Sequence, residues 1–139
     1  MSETITFDRI HFYNTLKPGI SLTATLRYGE EAIVCEAKLD TGSSHCIFKR
    51  SHGELLGFDI ESVPVETIST VTGGFHAYPH TINLEVLGIQ AEAIVYFAAD
   101  DSFKRSVLGR IGWLDRIKLG LIDYEGKLLL TSLNNNSIE

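Results

Sequence analysis

The chain has 139 residues, 44% of them hydrophobic and 22% charged, which is enough for one compact domain with its own core and no need of disulfide or metal staples. A formal net charge of −6 and a pI near 5.3, with no basic run, argue against a nucleic-acid partner, because phosphate binders concentrate Lys and Arg on one face. No window approaches the ~20 apolar residues of a membrane span, and the start "MSETITFDRI" lacks an export-signal pattern, so a soluble cytoplasmic protein with no membrane contact is expected, or one exported by a route the sequence hides.

Residues 1–19 offer no assignable element. Residues 20–28 alternate apolar and polar without a break, the period of a half-buried strand. A turn at Gly29-Glu30-Glu31 leads into a second strand, 32–39, which sets Cys35, Ala37 and Leu39 on one face. Then comes Asp40, followed by Thr41, Gly42, Ser43 and Ser44. A short helix is expected at 50–56, closed by Gly57.

Residues 63–71 and 76–87 read as two arms of a long hairpin around Thr72-Gly73-Gly74-Phe75, the glycines supplying positive φ. Pro79 marks the second arm as exposed or at an edge, since proline cannot donate to a central ladder. A strongly apolar strand follows at 91–98, then a loop at Asp100-Asp101-Ser102. Val107-Leu108-Gly109 leads into a short helix at 110–116, and a last hairpin joins 119–124 to 127–131 around Glu125-Gly126. Short strands, regular turns and two helical fragments make an all-β, barrel-like domain over residues 20–132, with a frayed tail at 133–139.

Two cysteines, Cys35 and Cys46, are too few for a disulfide framework or a four-cysteine metal site and read as free buried thiols. His11, His45, His52, His76 and His80 form no metal-ligand pattern; His76 and His80 share a strand face but stand two pleats apart. No metal and no cofactor are expected. His45 reads as an exposed turn residue, with an influence on Asp40 or on substrate as the other reading. Asn135-Asn136-Ser137 matches a glycosylation acceptor only formally.

Asp40 stands where a strand passes into a turn whose glycine permits close approach and whose serines offer hydroxyl donors to a carboxylate. The tripeptide alone is also what an ordinary turn uses. The order of the pieces carries more information: an apolar strand into Asp40-Thr41-Gly42-Ser43, a Gly-tipped hairpin, an apolar pair plus glycine, Arg110, a short helix and a final hairpin in "VLGRIGWLDRIKLGLIDYEGKLLL". From about Leu22 to Leu130 this resembles the retropepsin-like aspartic proteases, especially their bacterial and cellular members. The resemblance implies an all-β, pepsin/retropepsin-like closed β-barrel with a flap hairpin and one or two short helices.

It further implies a homodimer, since each chain has one Asp-Thr-Gly, and hydrolysis of an extended peptide or protein substrate by two Asp40 carboxylates. Thr41 would bond across the dimer axis, and the Gly42 carbonyl, Ser43 and Ser44 would meet substrate. Val71, Thr72, Gly73, Gly74 and Phe75 would form the flap. Val107 would line a side-chain pocket or simply pack in the core. Two positions depart from the pattern: Ser44 stands where retroviral members carry an acid, and Ile111 where they carry Asp or Asn, leaving Arg110 without its usual carboxylate. The helix at 50–56 is an addition to the compact viral form. A non-catalytic peptide-binding and dimerisation module is the alternative reading, and half of a protease assembled with a different chain is a third.

Overall fold

A computed structural model describes residues 1–133; residues 134–139, with most of the expected tail and the formal glycosylation acceptor, lie outside the described residues. Strand β1 (Arg9–Phe12) precedes a hairpin of β2 (Ser21–Tyr28) and β3 (Glu31–Leu39). Then come β4 (Ile47–Phe48), helix α1 (Arg50–Leu55), β5 (Glu66–Thr70), β6 (Gly73–Val86), β7 (Ile89–Ala98), β8 (Val107–Leu108), β9 (Ile117–Ile122) and β10 (Lys127–Ser132). Seven strands are ordered β2-β3-β8-β4-β7-β6-β5, and β2 also pairs β6 from Ala24↔Val86 to Arg27↔Asn83, which closes the barrel. A separate three-stranded sheet has the order β1-β10-β9. Among the described residues no helix is long and apolar enough to cross a membrane.

Alternation fills the barrel as the sequence predicts. Leu22, Ala24 and Leu26 of β2 point inward against Phe48, Val95, Phe97 and Leu108, and from β10 Leu128 and Leu130 reach the same core. Each large apolar side chain buried there contributes about 1.5–3 kcal/mol relative to exposure. Helix α1 lies close on this core because Gly53 has no side chain: a Cβ there would stand 2.5 Å from Ile60 Cδ1 and 2.8 Å from Phe97 Cγ. Gly57 ends the turn at φ +97°, and Arg50 pairs with Glu54 within the helix and ties it to Glu61 beyond, each at 3.1 Å.

Four details correct the sequence reading. First, the segment before residue 20 is part of the structure: β1 pairs with β10, and the Tyr13 N–H donates to Gly126 O at 2.9 Å. Second, the β5–β6 turn sits at Val71-Thr72, with Thr70 paired to Gly73. Of the two glycines only Gly73 has positive φ (+132°); Gly74 is a strand residue whose missing side chain keeps clear of the Ile68 carbonyl, 3.1 Å from where a Cβ would stand.

Third, β6 is an interior strand. On one side β7 pairs Ala77 to Val86; on the other, β5 ends at Ala77 and β2 begins at Asn83, and Pro79 falls in that gap. Its partner Tyr96 sends its own N–H the other way, to Cys46 O at 2.9 Å. The pair is therefore a non-hydrogen-bonded one, and the proline nitrogen faces the gap where no donor is needed. Fourth, residues 110–116 form no α-helix: only Leu114–Arg116 make a 3-10 turn, because Gly112 at φ +104° breaks the spiral.

Candidate active site

Strand β3 delivers Asp40 to a crossing of two chain segments. β3 runs parallel to β8 with Lys38↔Val107 and Leu39↔Leu108, and the Asp40 N–H donates to Leu108 O at 3.0 Å. The chain then turns: Gly42 N–H donates to Asp40 Oδ1 at 2.9 Å and Ser43 N–H to Asp40 O at 3.1 Å, an aspartate side chain capping its own turn two residues on. From the other segment, Arg110 N–H reaches Ser43 O and Ile111 N–H reaches Ser44 O, both at 2.9 Å.

Gly109 lies at the point of contact. A Cβ there would collide with the His45 carbonyl oxygen and come within 2.7 Å of that of Ser43. The glycine after Val107-Leu108 is therefore a packing requirement of the crossing. Its N–H donates to Cys46 Sγ at 3.4 Å.

Asp40, Thr41 and Gly42 are exposed in the single chain. Among the described residues the one donor reaching the Asp40 carboxylate is the Gly42 N–H. The serines do not serve it as the sequence led one to expect: Ser43 Oγ donates to His45 O at 2.7 Å, a bond inside the turn. Ser44 is exposed on the wall of a depression of about 450 Å³, lined also by Thr41, Arg110, Ile111, Leu114 and Asp115. Arg110 is exposed there and, among the described residues, makes no ion pair. His45 is no free turn residue; it is half-buried, with its ring centroid 4.5 Å from that of Tyr96.

The β5–β6 hairpin carries the other predicted residues. Val71, Thr72, Gly73 and Gly74 are exposed at its tip, where Thr70 Oγ1 donates to Gly73 O at 2.9 Å. Phe75 is half-buried: it stacks on Phe103 at 4.8 Å and packs with Ile68 and Val107 against Ile47, Ala77 and Tyr96. Val107 is thus a member of a packed cluster that also holds the hairpin base. Tyr96 strengthens this base by donating to Glu66 Oε1 at 3.0 Å. Phe103 was missed as a partner of Phe75; its signal was a lone aromatic in the otherwise polar stretch Asp100-Asp101-Ser102-Phe103-Lys104-Arg105.

Both cysteines are free, Cys46 buried and Cys35 half-buried, and burial is the main cause that pushes each thiol up to about 11. At pH 8 such a thiol is about 0.1% thiolate against about 10% for one titrating at 9.0, so both should react with a disulfide reagent about a hundredfold more slowly than free cysteine. Thiol titration before and after denaturation checks this; fast reaction of Cys46 in the native protein would contradict the closed packing around Gly109.

These elements have the fold of the retropepsin-like aspartic proteases. The chain superposes on EIAV protease complexed with the inhibitor HBY-793 with a TM-score of 0.56 and 16% identity, covering 70% of this chain and 88% of that one. It superposes on a retropepsin-like aspartic protease from Rickettsia conorii with a TM-score of 0.66 and 22% identity, covering 88% of this chain and 97% of that one. No protein-family model and no curated protein matches the sequence.

Proposed function

We propose that the protein is a homodimeric aspartic endopeptidase. The observation that carries this reading is Asp40: an exposed carboxylate with one donor among the described residues, on a loop locked in place by the Gly109 crossing, in a fold shared with proteases of this class. Each chain supplies one such carboxylate, so a twofold dimer is needed to set two face to face.

Two carboxylates about 3 Å apart cannot both be ionised, so the pair holds a single proton, the property for which aspartic proteases are the standard example. The charged Asp40 takes a proton from a water held between the pair. Its protonated mate donates to the scissile carbonyl oxygen, so negative charge does not build up as the water oxygen attacks. Collapse of the tetrahedral intermediate returns a proton to the leaving amine and restores the pair. Neither a metal nor a covalent intermediate enters these steps.

In this reading Thr41 bonds across the dimer axis, and the Gly42 carbonyl receives a substrate N–H. The hairpin tip, Val71 to Gly74, closes over an extended peptide by backbone bonding and excludes water, with Phe75 anchoring its base. The test is cleavage of a diverse peptide library by purified protein from acid to neutral pH, with mass in solution measured alongside. Cleavage by a dimer supports the reading. A folded dimer that binds peptides and cuts none would make the protein a binding module instead.

A further inference from the structure

The chain is acidic, with 12 Lys plus Arg against 18 Asp plus Glu, yet its unpaired cations are not scattered. Arg9, Arg27, Arg50, Arg116 and Lys127 each sit against a carboxylate. Lys17 and Lys118 apart, the cations with no ion pair among the described residues are Lys38, Lys49, Lys104, Arg105 and Arg110. All five lie on the two segments, 38–49 and 104–110, that carry Asp40 and cross at Gly109. On the second segment Lys104 lies near Asp100 and Arg110 shares its depression with Asp115. That leaves Arg105 as the cation there with no acid recorded beside it among the described residues, and an unmatched exposed cation favours an occupant of opposite sign.

Arg105 has the most informative surroundings. The loop between β7 and β8 touches the hairpin through Phe103 on Phe75, and it joins the Asp40 strand through Ser106 O, which accepts the Lys38 N–H at 2.9 Å. Phe103 and Val107 both pack in the cluster that contains Ile68 and Phe75. Arg105 lies between them in the chain and is exposed, two residues before Val107, whose strand partner Lys38 precedes Asp40 by two. Its neighbour Lys104 faces Asp100, whose carboxyl is held below the usual range by hydrogen bonds from Ser102 and by the Lys104 charge. Arg105 makes no ion pair among the described residues.

We propose that the cleft selects peptides carrying an acidic side chain close to the bond presented to Asp40, and that Arg105 is the residue that recognises it, with Lys104 and Arg110 adding to the local field. This rests on the endopeptidase reading for its place in the reaction, and it makes Arg105 a specificity-determining residue. An exposed guanidinium can grip a carboxylate with two parallel hydrogen bonds, which an isosteric amide cannot match.

The experiment uses short peptides with a central apolar pair and Asp, Glu, Asn or Gln walked through the flanking positions. It reads kcat/KM with the wild-type dimer, and Kd by fluorescence anisotropy with Asp40→Asn, at low and high salt. Acidic peptides should be favoured over their amides by about tenfold, the size of one charge-assisted contact at a partly wet site, and less so at high salt. Arg105→Ala should erase the preference and Arg105→Glu should turn it toward Lys-bearing peptides. Among the described residues Arg105 makes no ion pair, so both variants should unfold at the wild-type midpoint. No preference for acidic peptides, or one that Arg105→Glu leaves in place, overturns the proposal. If the wild type cuts nothing, the endopeptidase reading fails and the binding measurement alone decides this one.

Discussion

Replacing Gly109 by alanine is expected to destabilise the domain by about 3 kcal/mol or more, a large share of the roughly 5–15 kcal/mol that holds a domain together. The added methyl meets backbone oxygens of His45 and Ser43, not side-chain ends. Neither can step aside: Ser43 O accepts the Arg110 N–H at 2.9 Å and His45 O accepts Ser43 Oγ at 2.7 Å. Overpacking costs about 1–3 kcal/mol where side chains can shift; at this crossing relief requires moving the segment that carries Asp40. Gly53→Ala is the comparison, since its methyl meets side-chain atoms, Ile60 Cδ1 and the Phe97 ring, and not backbone, and its loss should be smaller. Denaturant unfolding of the two variants checks the ranking. A Gly109→Ala midpoint equal to the wild type would mean that the two segments are not in the contact described.

How much of this was legible in the sequence follows from how local each interaction is. The β2–β3 hairpin was read correctly because alternation is a local signal and its turn carries Gly29 at φ +59°. The β6–β7 turn was blurred because it uses Leu87 at φ +51° beside Gly88. A leucine gives no hint of a left-handed conformation, which costs it roughly 1–2 kcal/mol; its side chain is packed against the core in partial compensation. β1 was invisible because its partner β10 lies at the other end of the chain, and a four-residue strand takes its stability from that pairing.

The site divides in the same way. Asp40-Thr41-Gly42 and Val107-Leu108-Gly109 were readable as an ordered pair of motifs, but the reason for Gly109 appears only when both segments are in place. Ser43 was misread as a donor to Asp40 because sequence gives a hydroxyl's identity and not its rotamer. That Arg105 and Arg110 make no ion pair among the described residues emerges only after the pairs elsewhere are known, since composition counts charges without showing which are matched.

The largest expected effect on activity belongs to Asp40→Asn. Positioned proton transfer contributes about 10²–10⁴-fold, and losing the charged member of the pair also removes the activation of water, so cleavage should fall by about three orders of magnitude or more. The fold should hold: Asp40 is exposed, and an asparagine Oδ1 can accept the Gly42 N–H in the same turn, so the unfolding free energy should change by no more than about 0.5 kcal/mol. Wild-type activity should rise and then fall with pH, failing at low pH where both carboxyls are protonated and at high pH where the shared proton is lost. Mixing the two chains sharpens the test. If one asparagine inactivates a dimer, activity follows the square of the wild-type fraction, and an equal mixture keeps about a quarter of it. A linear fall to one half would mean that each chain works without a second copy, and the missing carboxylate would then have to come from a different protein.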